Sequence, residues 1–217
     1  MSSVALRIGS PCLAACAALI LLGGSARASV LYDNISGMSV GSDSIAAIGP
    51  LADSFSTGAS VFGLADVRVL LQGFGGTGST TVSLLSDNAT SPGSLLMTIG
   101  TIADASLSTS APTVVNLPFG TVYNLAPMTR YWIELSSSGS TSQWYWSLDQ
   151  GKPGVSGEFF YNARRGVQSN LDGPYQMCTA DSGGGCSTPL ASVPEPAGVG
   201  VLVMALMGLG LMRRARS

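Results

Sequence analysis

In RYWIELSSSGSTSQWYWSL, residues 130–148, two aromatic-rich runs flank a segment of Ser, Gly and Thr. Successive side chains on a strand point to opposite faces. The first run therefore sets Tyr131, Ile133 and Leu135 on one face against Arg130, Trp132 and Glu134 on the other. The second sets Trp144 and Trp146 against Tyr145. The stretch predicts two neighbouring strands, each with an aromatic face.

Similar runs recur between Ser29 and Val193, separated by clusters of Gly, Ser, Pro, Asn and Asp, and no stretch of this region shows a helical apolar period. Short runs rich in β-branched and aromatic residues indicate strands. The predicted strands are Val30–Tyr32, Ala52–Ser56, Ala65–Leu71, Thr80–Leu85, Leu95–Ile102, Thr113–Leu117, Tyr123–Leu125, Tyr131–Leu135, Trp144–Leu148, Phe159–Tyr161 and Tyr175–Cys178. This punctuation predicts an all-β fold, an antiparallel β-sandwich of jelly-roll-like type.

The glycine-rich segment Gly73–Ser79 invites comparison with a phosphate-binding loop. Such a loop needs a Gly-Lys-Ser/Thr sequence and a following helix N-terminus. No Gly-Lys-Ser/Thr sequence is present. The next residues, Thr80–Leu84, have the composition of a strand and not of a helix N-terminus. We therefore expect a hairpin loop here.

The overall composition excludes several function classes. The 217 residues carry a formal net charge of −2, only 10% of them are charged, and Lys152 is the single lysine. Nucleic-acid binding needs clustered cations, so nucleic acid is not expected as a partner. The absence of histidine removes Ser-His-Asp and Cys-His catalysis and imidazole zinc sites. We assign no catalytic residue, no metal ligand and no required cofactor.

The first 28 residues are typical of a secretory signal peptide. One charge, Arg7, precedes an apolar stretch from Cys12 to Leu22, and Ala26-Arg27-Ala28 is a small-residue cleavage site. We expect Sec-type export and a mature chain that begins at Ser29. Two alternatives stay open: a buried first helix, and a lipoprotein whose lipidated residue is Cys16.

The last 25 residues, 193–217, combine a short motif, an apolar run and a basic tip. Pro194-Glu195-Pro196 precedes Ala197–Met212, and the basic residues of the tip are Arg213, Arg214 and Arg216. Sixteen helical residues span about 24 Å, slightly less than the ~30 Å hydrocarbon core. We expect one transmembrane helix, with the arginines on the cytoplasmic side by the positive-inside rule. The alternative is a plain membrane anchor in which Pro196 starts the helix.

This tripartite ending closely resembles the C-terminal sorting signal of the PEP-CTERM family of bacterial proteins. The resemblance rests on Pro194-Glu195-Pro196, which abuts the apolar run and the arginine-rich tip. It implies processing near the motif by an exosortase-type enzyme in a Gram-negative-type bacterium. It further implies residence in the inner membrane before processing, then in the cell envelope or outside the cell, often with exopolysaccharide.

The chain between the two ends, residues 29–192, has the length of one exported domain. Residues 29–193 carry eleven acidic and five basic side chains, a net charge of −6. Cys12 and Cys16 would leave with the signal peptide, so Cys178 and Cys186 remain, separated by a glycine-rich turn. An exported domain with two close cysteines predicts a disulfide.

The domain also resembles the choice-of-anchor domains, exported bacterial domains joined to one of several C-terminal anchors, and among them the R type. The resemblance spans Leu31–Leu148, and its motifs are Leu31–Asn34, Ala52–Gly58, Ser86–Asn88, Ser91–Leu96 and Arg130–Ile133. That family has no established chemistry, so the resemblance transfers no site residues.

Two binding interpretations remain for the domain. Trp132, Trp144 and Trp146 are candidates for stacking on sugar rings, against the alternative that the tryptophans fill the core. Asp87-Asn88 and Asp172-Gly173 could hold a structural calcium, although Asp-Gly is first a turn signal.

Scattered acids, among them Glu134, Asp149 and Glu158, would make a hydrolase only if two faced each other. The leading hypothesis is a non-enzymatic exported β-domain associated with exopolysaccharide or biofilm. The alternatives are a carbohydrate-binding module of the same architecture and a calcium-stabilised hydrolase.

Overall fold

The computed structural model describes residues 30–151, 158–182 and 185–186. In this part of the chain the protein is all-β, with two antiparallel sheets, as predicted. The strands are β1 (Val30–Asp33), β2 (Ser39–Ser44), β3 (Leu51–Ser56), β4 (Phe62–Gln72), β5 (Ser79–Asn88), β6 (Ser91–Ala103), β7 (Thr113–Leu125), β8 (Arg130–Ser138), β9 (Gln143–Ser147), β10 (Phe159–Asn162), β11 (Gly166–Ser169) and β12 (Met177–Ala180). A short helix, α1 (Ile45–Ile48), and two 3₁₀ turns, Asp104–Ser106 and Asn170–Asp172, complete the described structure.

The first sheet, sheet A, is built around β4. Its order is β1-β12-β4-β9-β2, and β7 also pairs with β4. One edge of β4 pairs with β7 from Phe62 to Leu71. The other edge pairs first with β12, through Asp66–Val69, and then with β9, through Leu71 and Gln72. Two short strands thus lie end to end along one long strand.

The second sheet, sheet B, has the order β11-β10-β3-β8-β5-β6. Its middle strands fix the register that matters below: Ser56 lies opposite Arg130, and Leu85 lies opposite Trp132. β3, β8 and β5 each pair with neighbours on both edges. Their backbone hydrogen-bonding groups are consequently used within the sheet.

One apolar core joins the facing sides of the two sheets. Val67, Val69 and Leu71 of β4 belong to the same buried cluster as Val82 and Leu84 of β5. Each such side chain contributes about 1.5–3 kcal/mol when fully buried. Of the two faces predicted for β8, the one formed by Tyr131, Ile133 and Leu135 packs in this cluster. The arrangement is β-sandwich-like, with a core between two layers.

Several strand predictions were incomplete. β2 and β11 were not predicted, because SVGSDS and GVQS are rich in the residues that usually mark turns. The predicted strands Thr113–Leu117 and Tyr123–Leu125 are one strand, β7, whose pairing with β4 is irregular between Leu64 and Asp66. These strands form because they pair with strands distant in sequence, and local composition does not show such pairing.

The predicted hairpin loop at Gly73–Ser79 was wrong. β4 belongs to sheet A and β5 to sheet B, so the loop crosses between the sheets. Gly78 passes very close to another backbone segment, and a Cβ there would lie 2.1 Å from the Gly139 carbonyl oxygen. Glycine is required at this crossing because a side chain would collide with the backbone.

The predicted disulfide between Cys178 and Cys186 is present, with an S–S distance of 2.02 Å. It lies outside the main core, in a smaller buried cluster with Ile35, Leu70 and Ala180. The disulfide therefore attaches the chain after β12 to the outer face of sheet A.

Within the described ranges, no helix is long and apolar enough to cross a membrane. The predicted signal peptide at residues 1–28 and the predicted transmembrane segment Ala197–Met212 lie outside the described residues. The same holds for the sorting-motif residues Pro194, Glu195, Pro196, Arg213, Arg214 and Arg216.

Candidate functional site

The candidate site is a cavity of about 250 Å³ lined by Ser56, Asp87, Met128 and Arg130. Strand pairing brings its polar side chains together: Ser56 ends β3 opposite Arg130, which begins β8. On β5, Asp87 follows Ser86, which lies opposite Tyr131 of β8. Antiparallel register thus carries three polar residues from distant sequence to one corner of sheet B.

Arg130 lies between two carboxylates and an aromatic ring. Its Nε atom is 3.4 Å from Glu158 Oε2, and its Nη1 atom is 3.8 Å from Asp87 Oδ2. The guanidinium carbon lies 4.8 Å from the centroid of the Phe159 ring. Arginine suits this position because the face of its planar group can pack on a ring while its charged edge lies near carboxylates. The three charged groups sum to a net charge of −1.

Asp87 is held in place by a buried indole. Trp132 Nε1 donates to Asp87 Oδ1 at 2.8 Å, and the Thr90 backbone N–H donates to Asp87 Oδ2 at 3.3 Å. Trp132 is fully buried in a cluster with Ala52 and Leu85 on the outer side of sheet B. The indole therefore positions a carboxylate of the cavity.

Glu158 is held equally firmly on the other side of Arg130. The Ser54 hydroxyl donates to Glu158 Oε2 at 2.6 Å and accepts from the Phe159 backbone N–H at 2.8 Å. Glu158 is only 5% exposed. A buried charge is stable only when it is paired, and the guanidinium of Arg130 pairs with the Glu158 carboxylate.

A second cluster of polar side chains, Asp53, Asn170 and Tyr32, is buried in the core behind this corner of sheet B. Asn170 Nδ2 donates to Asp53 Oδ1 and to the Tyr32 hydroxyl, both at 3.3 Å. Burial raises the pKa of Asp53 well above its ordinary value; the Asn170 hydrogen bond opposes this, and nearby Glu158 adds to it. Burial, followed by the nearby Asp53, also raises the pKa of Tyr32. Both groups are therefore biased toward their neutral forms.

Two of the three tryptophans proposed for sugar stacking are fully buried, so the expectation fails for Trp132 and Trp144. Trp144 stacks on Tyr175 in the core at a centroid distance of 4.6 Å. Trp146 is partly buried, and its ring covers Gly41 and Gly173, where an added Cβ would lie 2.5 and 2.8 Å from ring atoms. The aromatic faces are used for packing.

The two calcium candidates have other roles in this structure. Asp87 accepts from Trp132 and Thr90, as described above, and Asn88 is an exposed residue at the end of β5. Asp172 ends a 3₁₀ turn, and Gly173 follows it with a φ of +108°, which fits the turn interpretation. Among the described residues, no group of three His, Cys, Asp or Glu side chains is arranged to hold a metal ion.

Other acids named as hydrolase candidates do not line the cavity. Glu134 lies on β8 beyond Trp132, and burial raises its pKa. Asp149 follows β9, and its backbone carbonyl accepts from Asn34 and Ser147. The cavity itself offers a guanidinium, a carboxylate and a hydroxyl, which can donate and accept hydrogen bonds to a ligand.

No protein-family model, no curated protein and no solved structure matches this chain.

Proposed function

We propose that this chain is an exported, non-enzymatic β-domain protein of the bacterial cell envelope or extracellular matrix, sorted through its C-terminal tail. The observation that carries the proposal is the bond between Cys178 and Cys186. Structural disulfides form and persist in oxidising compartments and are rare in the reducing cytosol. A disulfide in the folded domain thus supports export.

The two ends of the sequence support the same route independently. Residues 1–28 have the order of a signal peptide, and residues 193–217 resemble the PEP-CTERM sorting signal. An exosortase-type enzyme would act at Pro194-Glu195-Pro196 after Sec-type export. We also propose the jelly-roll class for the domain, because the chain passes repeatedly between sheets from β3 to β12.

Composition and site chemistry favour binding over catalysis. The sequence has no histidine, so the commonest general base is missing from the whole chain. Asp87 is tied to Trp132, and Asp53 is buried with its pKa raised. A glycosidase needs two carboxylates that flank one bond in an accessible cleft. We therefore place a role in display or adhesion ahead of the hydrolase alternative.

The sorting proposal is tested with the full-length chain in cells that possess the processing enzyme. Glu195 is the sole charge between Asp181 and Arg213, and it stands between two prolines, a residue type that favours an extended chain. We expect Glu195→Gln to leave the chain uncut in the inner membrane, while the charge-preserving Glu195→Asp is still processed. Mass spectrometry of the envelope and secreted fractions reads both termini.

Three outcomes would contradict the proposal. An intact Ser217 terminus in the wild-type mature protein would end the processing claim. A mature chain that begins at a lipidated Cys16, and not at Ser29, would replace the export route. Retention of the wild-type chain in the cytoplasm would overturn the proposed function as a whole.

A further inference from the structure

We propose that the cavity lined by Ser56, Asp87, Met128 and Arg130 binds the hydroxyl groups of a neutral saccharide. The decisive geometry is the 3.8 Å gap between Arg130 Nη1 and Asp87 Oδ2. This gap exceeds the 2.7–3.2 Å of a direct N–H···O hydrogen bond. One hydroxyl oxygen placed beside both groups can accept from the guanidinium and donate to the carboxylate, because a hydroxyl does both.

The charges at the site exclude other ligand classes. Arg130 is flanked by Asp87 and Glu158, so the site carries a net charge of −1 and disfavours anions such as uronates or phosphate. A divalent cation would meet the guanidinium directly, and calcium takes six to eight oxygen ligands. An apolar ligand would displace the water that solvates the exposed edges of these charged groups and would not replace its hydrogen bonds, which is costly. A neutral, hydroxyl-bearing ligand fits the remaining chemistry.

Backbone pairing disfavours a peptide ligand. Extended peptides are commonly bound by adding a strand to an open sheet edge. The strands that meet at the cavity, β3, β5 and β8, are each paired on both edges. Recognition here must use side chains, and the Ser56 hydroxyl adds a third group that can donate or accept.

The size and rim of the cavity suit a single sugar ring or the end of a chain. Its volume of about 250 Å³ is smaller than the ~300–1,000 Å³ of pockets for drug-sized ligands. Met128 is 72% exposed and supplies an apolar surface for the C–H face of a ring. With so few contacts, we expect a dissociation constant of about 1 mM.

The polar groups are pre-positioned before a ligand arrives. Trp132 and Thr90 fix Asp87, and Glu158 and Phe159 fix the guanidinium of Arg130. Pre-positioned groups lose little conformational entropy on binding. The inference rests on the proposed function in one respect, since an exported protein meets extracellular polysaccharide.

The test uses the full-length chain purified in a non-glycosidic detergent. Methyl α-glucopyranoside, methyl α-mannopyranoside and methyl α-galactopyranoside are titrated separately and followed by saturation-transfer difference NMR. We expect at least one of them to bind, and Asp87→Asn to weaken that binding about tenfold, because a charge-assisted acceptor is lost. The matched control is Asp66→Asn, which makes the same change in the 2.9 Å ion pair with Arg68 on sheet A. The control should leave binding unchanged.

Thermal unfolding of each variant checks that it is folded. If Asp87→Asn does not fold, Ser56→Ala replaces it, with an expected loss of about threefold. The inference is overturned if none of the three glycosides binds, or if the folded cavity variant binds as well as the wild type. Tighter binding of methyl glucuronide or displacement of the sugar by triglycine would also overturn it. Sugar binding by a chain retained in the cytoplasm would overturn the proposed function alone.

Discussion

Two buried polar networks in this molecule are built in opposite ways. Around Gln176, next to sheet A, the side-chain Nε2 donates to the backbone carbonyls of Ile35 and Gly37 at 3.1 and 2.8 Å. Its Oε1 accepts from the Ser39 hydroxyl. The side chain is fully buried and both of its polar atoms have partners. A complete network of this kind holds the segment before β2 against the sheet.

The network around Asp53 is incomplete. In the described part of the chain, Asp53 Oδ2, Asn170 Oδ1 and Glu158 Oε1 are buried without hydrogen-bond partners. Each unpaired buried group costs about 1–3 kcal/mol. The Gln176 side of the molecule is therefore organised for stability. The side near the cavity holds Glu158 against Arg130, and its unpaired buried groups lower the stability of the fold.

The largest effect is expected from breaking the complete network. Gln176→Leu keeps a similar volume but leaves the Ile35 and Gly37 carbonyls and the Ser39 hydroxyl without this partner. We expect the free energy of unfolding to fall by about 3 kcal/mol. Urea denaturation of the exported protein measures it.

The control for this variant is Gln168→Leu on β11. Gln168 donates to two carbonyls near it in sequence, those of Arg165 and Val167. A loss of less than about 1 kcal/mol is expected there, as for a typical intramolecular hydrogen bond. Equal losses in the two variants would show that the Gln176 network is not special.

Sequence reasoning found the core because the core follows a local rule. Tyr131, Ile133 and Leu135 alternate with polar or outward residues, and alternation on a strand is visible in a few residues. β2 has no such signal, since SVGSDS offers one apolar residue. It pairs with β9 because Gly41 leaves room for the Trp146 ring, a fact that depends on tertiary contact.

The cavity could not be predicted for a related reason. Asp87 and Trp132 are 45 residues apart, and Ser54 and Glu158 are 104 apart. Asp87 alone carries the signal of a turn or a calcium ligand, and Trp132 alone that of a core or sugar-binding aromatic. Their joint role follows from the register of β5, β8 and β3, which the sequence does not specify at the level of single residues.

The next largest effect concerns the covalent closure beside the Gln176 network. Cys178 and Cys186 are eight residues apart, and the chain-entropy account gives about 2.5 kcal/mol for a loop of this length. The double variant Cys178→Ser, Cys186→Ser should lose that amount in urea denaturation.

Reduction of the wild-type protein by dithiothreitol should reproduce the loss, whereas the double variant should not respond to the reductant. If reduction leaves wild-type stability unchanged, the bond contributes nothing to the exported protein. Free thiols in the denatured, unreduced mature chain would remove the main support for the export proposal.

The smallest effect should be a gain, obtained by repairing the incomplete network. Asp53 has a folded-state pKa raised by burial, so its contribution to stability is fully present below the unfolded pKa of about 4 and is lost as pH rises toward the folded pKa. Asp53→Asn removes this loss. It should stabilise the protein by roughly 1 kcal/mol at neutral pH and by much less near pH 4.

The matched control for Asp53→Asn is Asp104→Asn, which changes another buried carboxylate whose oxygens are fully used. Asp104 Oδ1 accepts from the Ser140 hydroxyl at 2.6 Å, and Oδ2 accepts from the Thr141 backbone N–H at 2.7 Å. An amide NH₂ group would face either the Thr141 backbone N–H, which can only donate, or the Ser140 hydroxyl, which already accepts from the Ser142 backbone N–H, so Asp104→Asn should destabilise the protein by about 2 kcal/mol. Opposite signs for the same chemical change would establish that pairing, and not burial alone, separates the two kinds of network. A loss of stability in Asp53→Asn at neutral pH would instead show that the backbone hydrogen bonds from Ser54 and Tyr175 to the Asp53 carboxylate outweigh the cost of burying its charge.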